Sequence, residues 1–158
     1  MKEIMQSSRT FWSLTGAERE IAWAAARGLT ATWLGLRVFG FRRWKEFVDR
    51  RAEYPHGTSA GQRVCGTSAP RIVQLEAAAA RNLFFKTNCL EQSLVLWSLL
   101  RHRGFDAKLK FGARKDAGKF EAHAWVELDG EPLNNESDEN RGFVPFDGAV
   151  AATQRHAE

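Results

Sequence analysis

Apolar residues recur every four positions through the first third of the chain, at Ile21, Ala25, Leu29 and Trp33, with Ala22, Ala26 and Leu34 widening the stripe. That period predicts a helix with a broad buried face. Thr15 and Glu18 stand three apart just before it, in the order of a capping box. Gly40 is expected to break the helix, and 42–51 to form a shorter basic one with Trp44, Phe47 and Val48 inward. Ser68 and Pro70 mark a second start, leading into Ile72, Leu75, Ala79 and Leu83. Between 89 and 103 apolar residues surround most of a third helix, leaving a thin polar strip through Glu91, Ser98 and His102. A helix apolar nearly all round belongs in the middle of a domain. Arg101, His102 and Arg103 suit its C-terminal dipole, and Gly104 stops it.

After Gly104 the period becomes two. Ala107, Leu109, Phe111 and Ala113 alternate with polar residues and glycine, a turn follows at 115–119, and Phe120, Ala122, Ala124, Val126 and Leu128 alternate back. Asp129-Gly130 is a hairpin signal. Short strands at 131–134 and near 143–146 would complete an antiparallel meander. The whole reads as an α+β protein, divided into a helical N-terminal part at 1–53, a Pro/Gly-containing loop at 54–69 and a core at 70–158.

Composition narrows the classes. The chain has 158 residues, 44% of them hydrophobic, including six tryptophans, which suffices for a real core. Twenty-three basic against 19 acidic side chains give a formal charge of +4, with no dense basic stripe, so no nucleic-acid partner is expected. The longest apolar stretch, Ile21 to Leu36, covers 16 residues and is interrupted by Arg27, short of the roughly 20 a spanning helix needs, so no stable membrane insertion is expected. No signal peptide is evident, and both cysteines, Cys65 and Cys89, are expected to be reduced in the cytoplasm. No CxxC pair or metal-ligand spacing occurs, and neither metal nor cofactor is expected.

Cys89 carries the strongest chemical signal. It stands at the first turn of the buried third helix, where free amides and the dipole favour a thiolate and offer donors to an oxyanion. His123 lies in Glu121-Ala122-His123-Ala124-Trp125-Val126, on the strand face opposite Ala122, Ala124 and Val126. If those residues face outward-packed helices, His123 faces the other layer, where the central helix would present Cys89. A helix-tip cysteine, a hairpin and a strand histidine, in that order, form the layout by which an imidazole activates sulfur. The third group, orienting the imidazole, would follow the Asp129-Gly130 turn, with Asn134, Asn135, Glu136 and Asp138 as candidates. Cys65, in a Gly/Ser/Thr loop, is read as incidental, as are His56 and His156.

The segments 89–94 (Cys-Leu-Glu-Gln-Ser-Leu), 99–101, Gly104, 120–127, 132–134 and 143–147 together resemble the lasso-peptide leader peptidases, the protease half of the lasso-peptide B protein and a transglutaminase-like family. The resemblance implies a transglutaminase/papain-like core, with a central helix carrying the cysteine and an antiparallel sheet carrying the histidine. It implies a Cys-His-Asp triad, of which Cys89 and His123 supply two members. The family aspartate ends a Leu-Asn-Asp segment. Here that position is Asn135, so either Asn135 orients the imidazole, as in papain-like Cys-His-Asn sites, or Asp138 does. The implied partners are a lasso-peptide precursor, a separate leader-recognition protein and a macrolactam cyclase. Residues 1–13 are too short for a fused recognition domain, which is the pattern of the stand-alone form. Two other readings stand beside leader removal: a different acyl transfer on the same fold, amidase or transglutaminase, and an inactive chaperone presenting the precursor.

Overall fold

The computed structural model describes residues 14–52, 67–116, 119–134 and 143–145. The sequence between 16 and 52 forms α1, Gly16–Ala52, whose two arms meet at a break at Gly40 (φ 74, ψ 170). A left-handed φ there is open to glycine at no steric cost. The start is capped as the sequence indicates: Thr15 N donates to Glu18 Oε2 at 2.8 Å, and Glu18 N to Thr15 Oγ1 at 3.3 Å. Those bonds, led by the Thr15 amide and joined by Arg71, hold the Glu18 carboxyl below its ordinary range. The Arg71 contact, 2.6 Å to Glu18 Oε1, ties the first helix to α2, Ala69–Asn82. Ser68 is the N-cap of α2, with proline following in the first turn, although the serine side chain makes no capping bond.

The third helix, α3, runs Cys89–His102 and feeds a hairpin of β1, Lys108–Asp116, and β2, Lys119–Leu128. Two-residue strands follow, β3 at Glu131–Pro132 and β4 at Val144–Pro145. The Asp129-Gly130 turn has both residues at positive φ, 54° and 87°, as that dipeptide predicts. Sheet order is β3-β2-β1-β4, all antiparallel. This corrects the expected meander, because the last strand pairs with β1 and not with β3. Two features account for the crossover. Side chains occupy the free edge of β2 beside Ala124 and Val126. Gly112 of β1, paired with Pro145, leaves room for the incoming backbone, since a Cβ there would lie 3.0 Å from Val144 O and 2.9 Å from the Trp125 ring.

One buried cluster joins the three helices to the β1–β2 hairpin. Ile21, Ala25 and Leu29 of α1 meet Ile72 and Leu75 of α2, Leu96 and Leu100 of α3, and Val126 of β2. Each large aliphatic side chain buried in this way stabilises the fold by about 1.5–3 kcal/mol relative to leaving it exposed. Three expected placements are corrected. Leu34 is 54% exposed, because it lies roughly 220° around the helix from Ile21, whereas Thr32, about 20° away, is buried. Phe47 is 42% exposed, leaving Val48 as the buried member of its arm. Glu91, read as part of a polar strip, is 1% exposed. It is buried because it is fully engaged, as described next.

Candidate active site

Asn88 is the N-cap of α3, with extended backbone (φ −99, ψ 173). Its Oδ1 accepts from Glu91 N at 3.0 Å, and Glu91 Oε2 accepts from Asn88 N at 2.9 Å, a reciprocal capping box. The other Glu91 oxygen accepts from Arg37 Nη1 at 3.1 Å. Arg37 in turn donates to Trp33 O at 2.8 Å, and its guanidinium lies 4.1 Å over the Trp33 ring. The start of α3 is thus held at its backbone and against α1. Neither link was anticipated from sequence, although Asn-x-x-Glu before an apolar run was the legible signal for the box. The first intrahelical acceptor is Asn88 O, which takes Gln92 N at 3.1 Å. The amides of Cys89 and Leu90 precede that ladder and carry the partial positive charge of the helix start.

Cys89 is half-buried and a free thiol. One turn later on the same side of the helix, Ser93 is fully buried, and its Oγ donates to Ala124 O of β2 at 2.8 Å. Asn134 completes a relay along the open edge of β2, with Nδ2 donating to Ser93 Oγ and Oδ1 accepting from Val126 N, both at 2.8 Å. These side chains replace ladder partners that β3, only two residues long, does not supply. Trp97 Nε1 donates to Ala107 O at 3.1 Å, just before β1, whose start pairs with the end of β2. The helix therefore runs parallel to β2. One helical turn is about 5.4 Å and one strand residue about 3.3 Å, so Cys89 stands level with roughly residue 122 of β2. His123 lies at that level, paired across the sheet with Gly112.

Ala124 and Val126 of β2 are buried, and Ser93 of α3 meets the β2 backbone at Ala124, next to His123. The His123 ring is half-buried, its centroid 5.1 Å from Phe143 and 6.1 Å from Trp125. Of the candidates for the third group, Asn134 is committed to Val126 and Ser93. Asn135, Glu136 and Asp138 lie outside the described residues, as do Cys65, His56 and His156. His102 closes its own helix, Nδ1 lying 2.8 Å from Ser98 O.

Beside the capped start of α3 is a cavity of about 400 Å³ lined by Arg81, Phe84, Phe85, Lys86, Thr87 and Gln92. Phe84 is 94% exposed there, and the Gln92 amide donates to Thr87 Oγ1 at 2.9 Å, fixing the cavity wall next to Cys89. A larger cavity, of about 690 Å³, lies elsewhere, between α1 and α3. No cluster of three or more His, Cys, Asp or Glu suited to a metal ion occurs among the described residues, and no described helix is long and apolar enough to cross a membrane.

Three helices, the last opening on a capped cysteine, packed on a small antiparallel sheet that carries a histidine, define a mixed α+β domain. The family model of the transglutaminase-like superfamily matches residues 28–146, and the chain belongs to that superfamily. Its fold is compatible with cysteine-peptidase and acyl-transfer activity. No curated protein and no solved structure gives a significant match.

Proposed function

We propose that this protein is a cysteine peptidase that removes the leader from a lasso-peptide precursor, so that a separate cyclase closes the macrolactam on the new amine. What supports the peptidase reading is a cysteine at the capped start of α3 together with a histidine on β2, the Ser93–Ala124 bond joining the next turn of that helix to the residue after His123. The motifs around 89–104 and 120–147 carry the finer assignment to lasso-peptide leaders. In this reading His123 takes the thiol proton, and the Cys89 sulfur attacks the carbonyl carbon at the leader–core junction. The oxyanion is met by the amides opening α3. Collapse breaks the C–N bond, the amine of the core leaves with the proton from His123, and water hydrolyses the resulting thioester. Asn135 orients the imidazole, with Asp138 as the alternate. A leader-recognition protein presents the precursor, and the chemistry takes place in the cytoplasm without a cofactor.

Mass spectrometry of precursor incubated with the protein and its recognition partner tests this reading. Released leader is the expected result. A crosslinked or deamidated precursor would instead assign another acyl transfer, and an unchanged one a presenting chaperone. Single-turnover cleavage then assigns the third group. Asn135→Ala is expected to slow it strongly and Asn135→Asp to preserve or raise it, because a carboxylate also stabilises the imidazolium. A crippled Asp138→Ala beside a near-normal Asn135→Ala would move the role to Asp138.

A further inference from the structure

A second cavity lies on the far side of α3 from Cys89. Its volume is about 690 Å³, and it runs between the two arms of α1 and the outer face of α3. Ser98 and His102 line it, and His102 is roughly half a turn around the helix from Ser93, which faces β2. Along the axis, Ser98 lies about 13 Å from Cys89. Whatever occupies this groove leaves the edge bearing Cys89 uncovered.

The groove has an apolar floor and a charged rim. Ile21, Ala24, Val48, Leu94 and Leu99 line the floor, and Phe47 stands in the wall at 42% exposure. Around the rim stand three arginines, one from each segment: Arg27 from the first arm of α1, Arg51 from the second, and Arg103 from the end of α3. None of the three is in an ion pair with a described residue. Arg51 lies 4.8 Å over the Phe47 ring, and the Arg103 guanidinium donates to Leu99 O at 3.4 Å. The contrast with neighbours is direct, since Arg42 is paired with Glu46, Lys45 with Asp49 and Arg101 with Asp106. Glu20 is the single carboxylate among the lining residues. Trp44, also in the wall, holds a buried indole N–H with no acceptor among the described residues.

We propose that this groove docks an acidic amphipathic helix of a partner protein. Its apolar face would cover the floor, and its carboxylates would pair with Arg27, Arg51 and Arg103. Charge decides the class of occupant. Three uncompensated guanidiniums against one carboxylate attract acidic side chains and repel basic ones, while guanidinium geometry suits carboxylates bidentately. Shape decides its form, because a trough walled by helices receives a further helix by the same packing that built it. Cavities of this volume fall within the range that binds organic ligands and peptide side chains. The inference is independent of the reaction at Cys89.

The test uses the full chain and a fluorescein-labelled 14-residue helical peptide, with Leu and Phe on one face and Glu on the other, read by anisotropy. A Lys-faced counterpart is the control. Expected are binding of the acidic peptide alone, at least a tenfold loss in the Arg27→Glu/Arg51→Glu double variant, weakening with added salt, and unchanged binding by Cys89→Ala. Both arginines are exposed and without ion pairs among the described residues, so the reversal is expected to leave the thermal midpoint nearly unchanged. Phe47→Ala, which leaves every charge in place, is expected to weaken binding several-fold. Equal binding of acidic and basic peptides, or affinity indifferent to both variants, would overturn the proposal. So would uptake onto phosphatidylglycerol vesicles without peptide binding, or self-association through this face with no affinity for the peptide.

Discussion

The two sides of α3 are built from different materials. Towards β2 and at its start, polar groups are buried and matched: Ser93 between Ala124 and Asn134, and Glu91 between Asn88 and Arg37. Towards α1 the contacts are apolar, and among the described residues the cations at the rim lack carboxylate partners and the Trp44 indole N–H lacks an acceptor. Buried hydrogen bonds are directional and are costly to leave half-made, so they specify position. Apolar contact stabilises without fixing register to the same degree. The matched side bears the helix start that carries Cys89, and the unmatched side is the one with surface to offer.

The largest expected effect lies on the matched side. Cys89→Ala should lower leader cleavage by roughly 10⁴-fold or more while leaving the thermal midpoint close to that of the parent, since it removes the nucleophile and little volume. Cleavage at the parental rate by this variant would remove Cys89 from the chemistry.

A second effect sits where the contrast fails. Glu76 of α2 is 1% exposed, and its Oε1 has no hydrogen-bond partner. Burial pushes its carboxyl up to about 8, opposed only weakly by Arg81. The folded state therefore holds this proton at neutral pH while the unfolded state, near the ordinary carboxyl value of 4.5, does not. Stability is complete below the unfolded value and falls as pH rises towards about 8, by at most about 1.4 kcal/mol per pH unit. Urea unfolding at pH 5 and pH 8 should show this loss, and Glu76→Gln should flatten it. Stability that rises over that interval in the parent would contradict the protonated assignment.

Substitutions matched in cost then separate the two sides. Ser93→Ala leaves Ala124 O and one Asn134 proton without their partner, a loss of about 1–3 kcal/mol. Gly35→Ala places a methyl group inside the Trp44 ring and should cost a similar amount, about 1–3 kcal/mol, on the groove side. Only the first should slow iodoacetamide labelling of Cys89, followed by peptide mapping so that Cys65 is scored separately. Equal slowing by both would mean that reactivity tracks global stability and not the register set at Ser93.

What was legible in the sequence follows the range of each interaction. The Thr15–Glu18 box, the break at Gly40, the turn at Asp129-Gly130 and the three helices depend on neighbours within one turn, and they stand in the structure. Cys89 at a helix start and His123 on the following hairpin were equally local readings. Placing β4 beside β1 required knowing that side chains occupy the edge of β2. Glu91 looked solvated because its counter-charge, Arg37, lies 54 positions away. Asn134 looked like a candidate for the imidazole because nothing in its vicinity along the chain announces Ser93, 41 positions earlier.

The smallest expected effect tests that long-range pair. The Arg37 side chain is 52% exposed and that of Glu91 2%, so the arginine sits in a high-dielectric setting and its loss is screened. Arg37→Ala should cost about 1 kcal/mol, less than the 3–5 kcal/mol typical of breaking a fully buried pair. Glu91 keeps the Asn88 amide but loses its counter-charge, leaving a carboxylate two residues from the thiol. Negative charge there opposes the thiolate, so Cys89 labelling should slow as well. Glu91→Gln removes that charge while its amide oxygen still accepts from Asn88 N, so the Arg37→Ala/Glu91→Gln double variant should recover both stability and labelling rate. Failure to recover stability would assign Arg37 to packing against Trp33. Recovery of both would assign it to balancing charge beside the nucleophile, which is the outcome the geometry of the capping box implies.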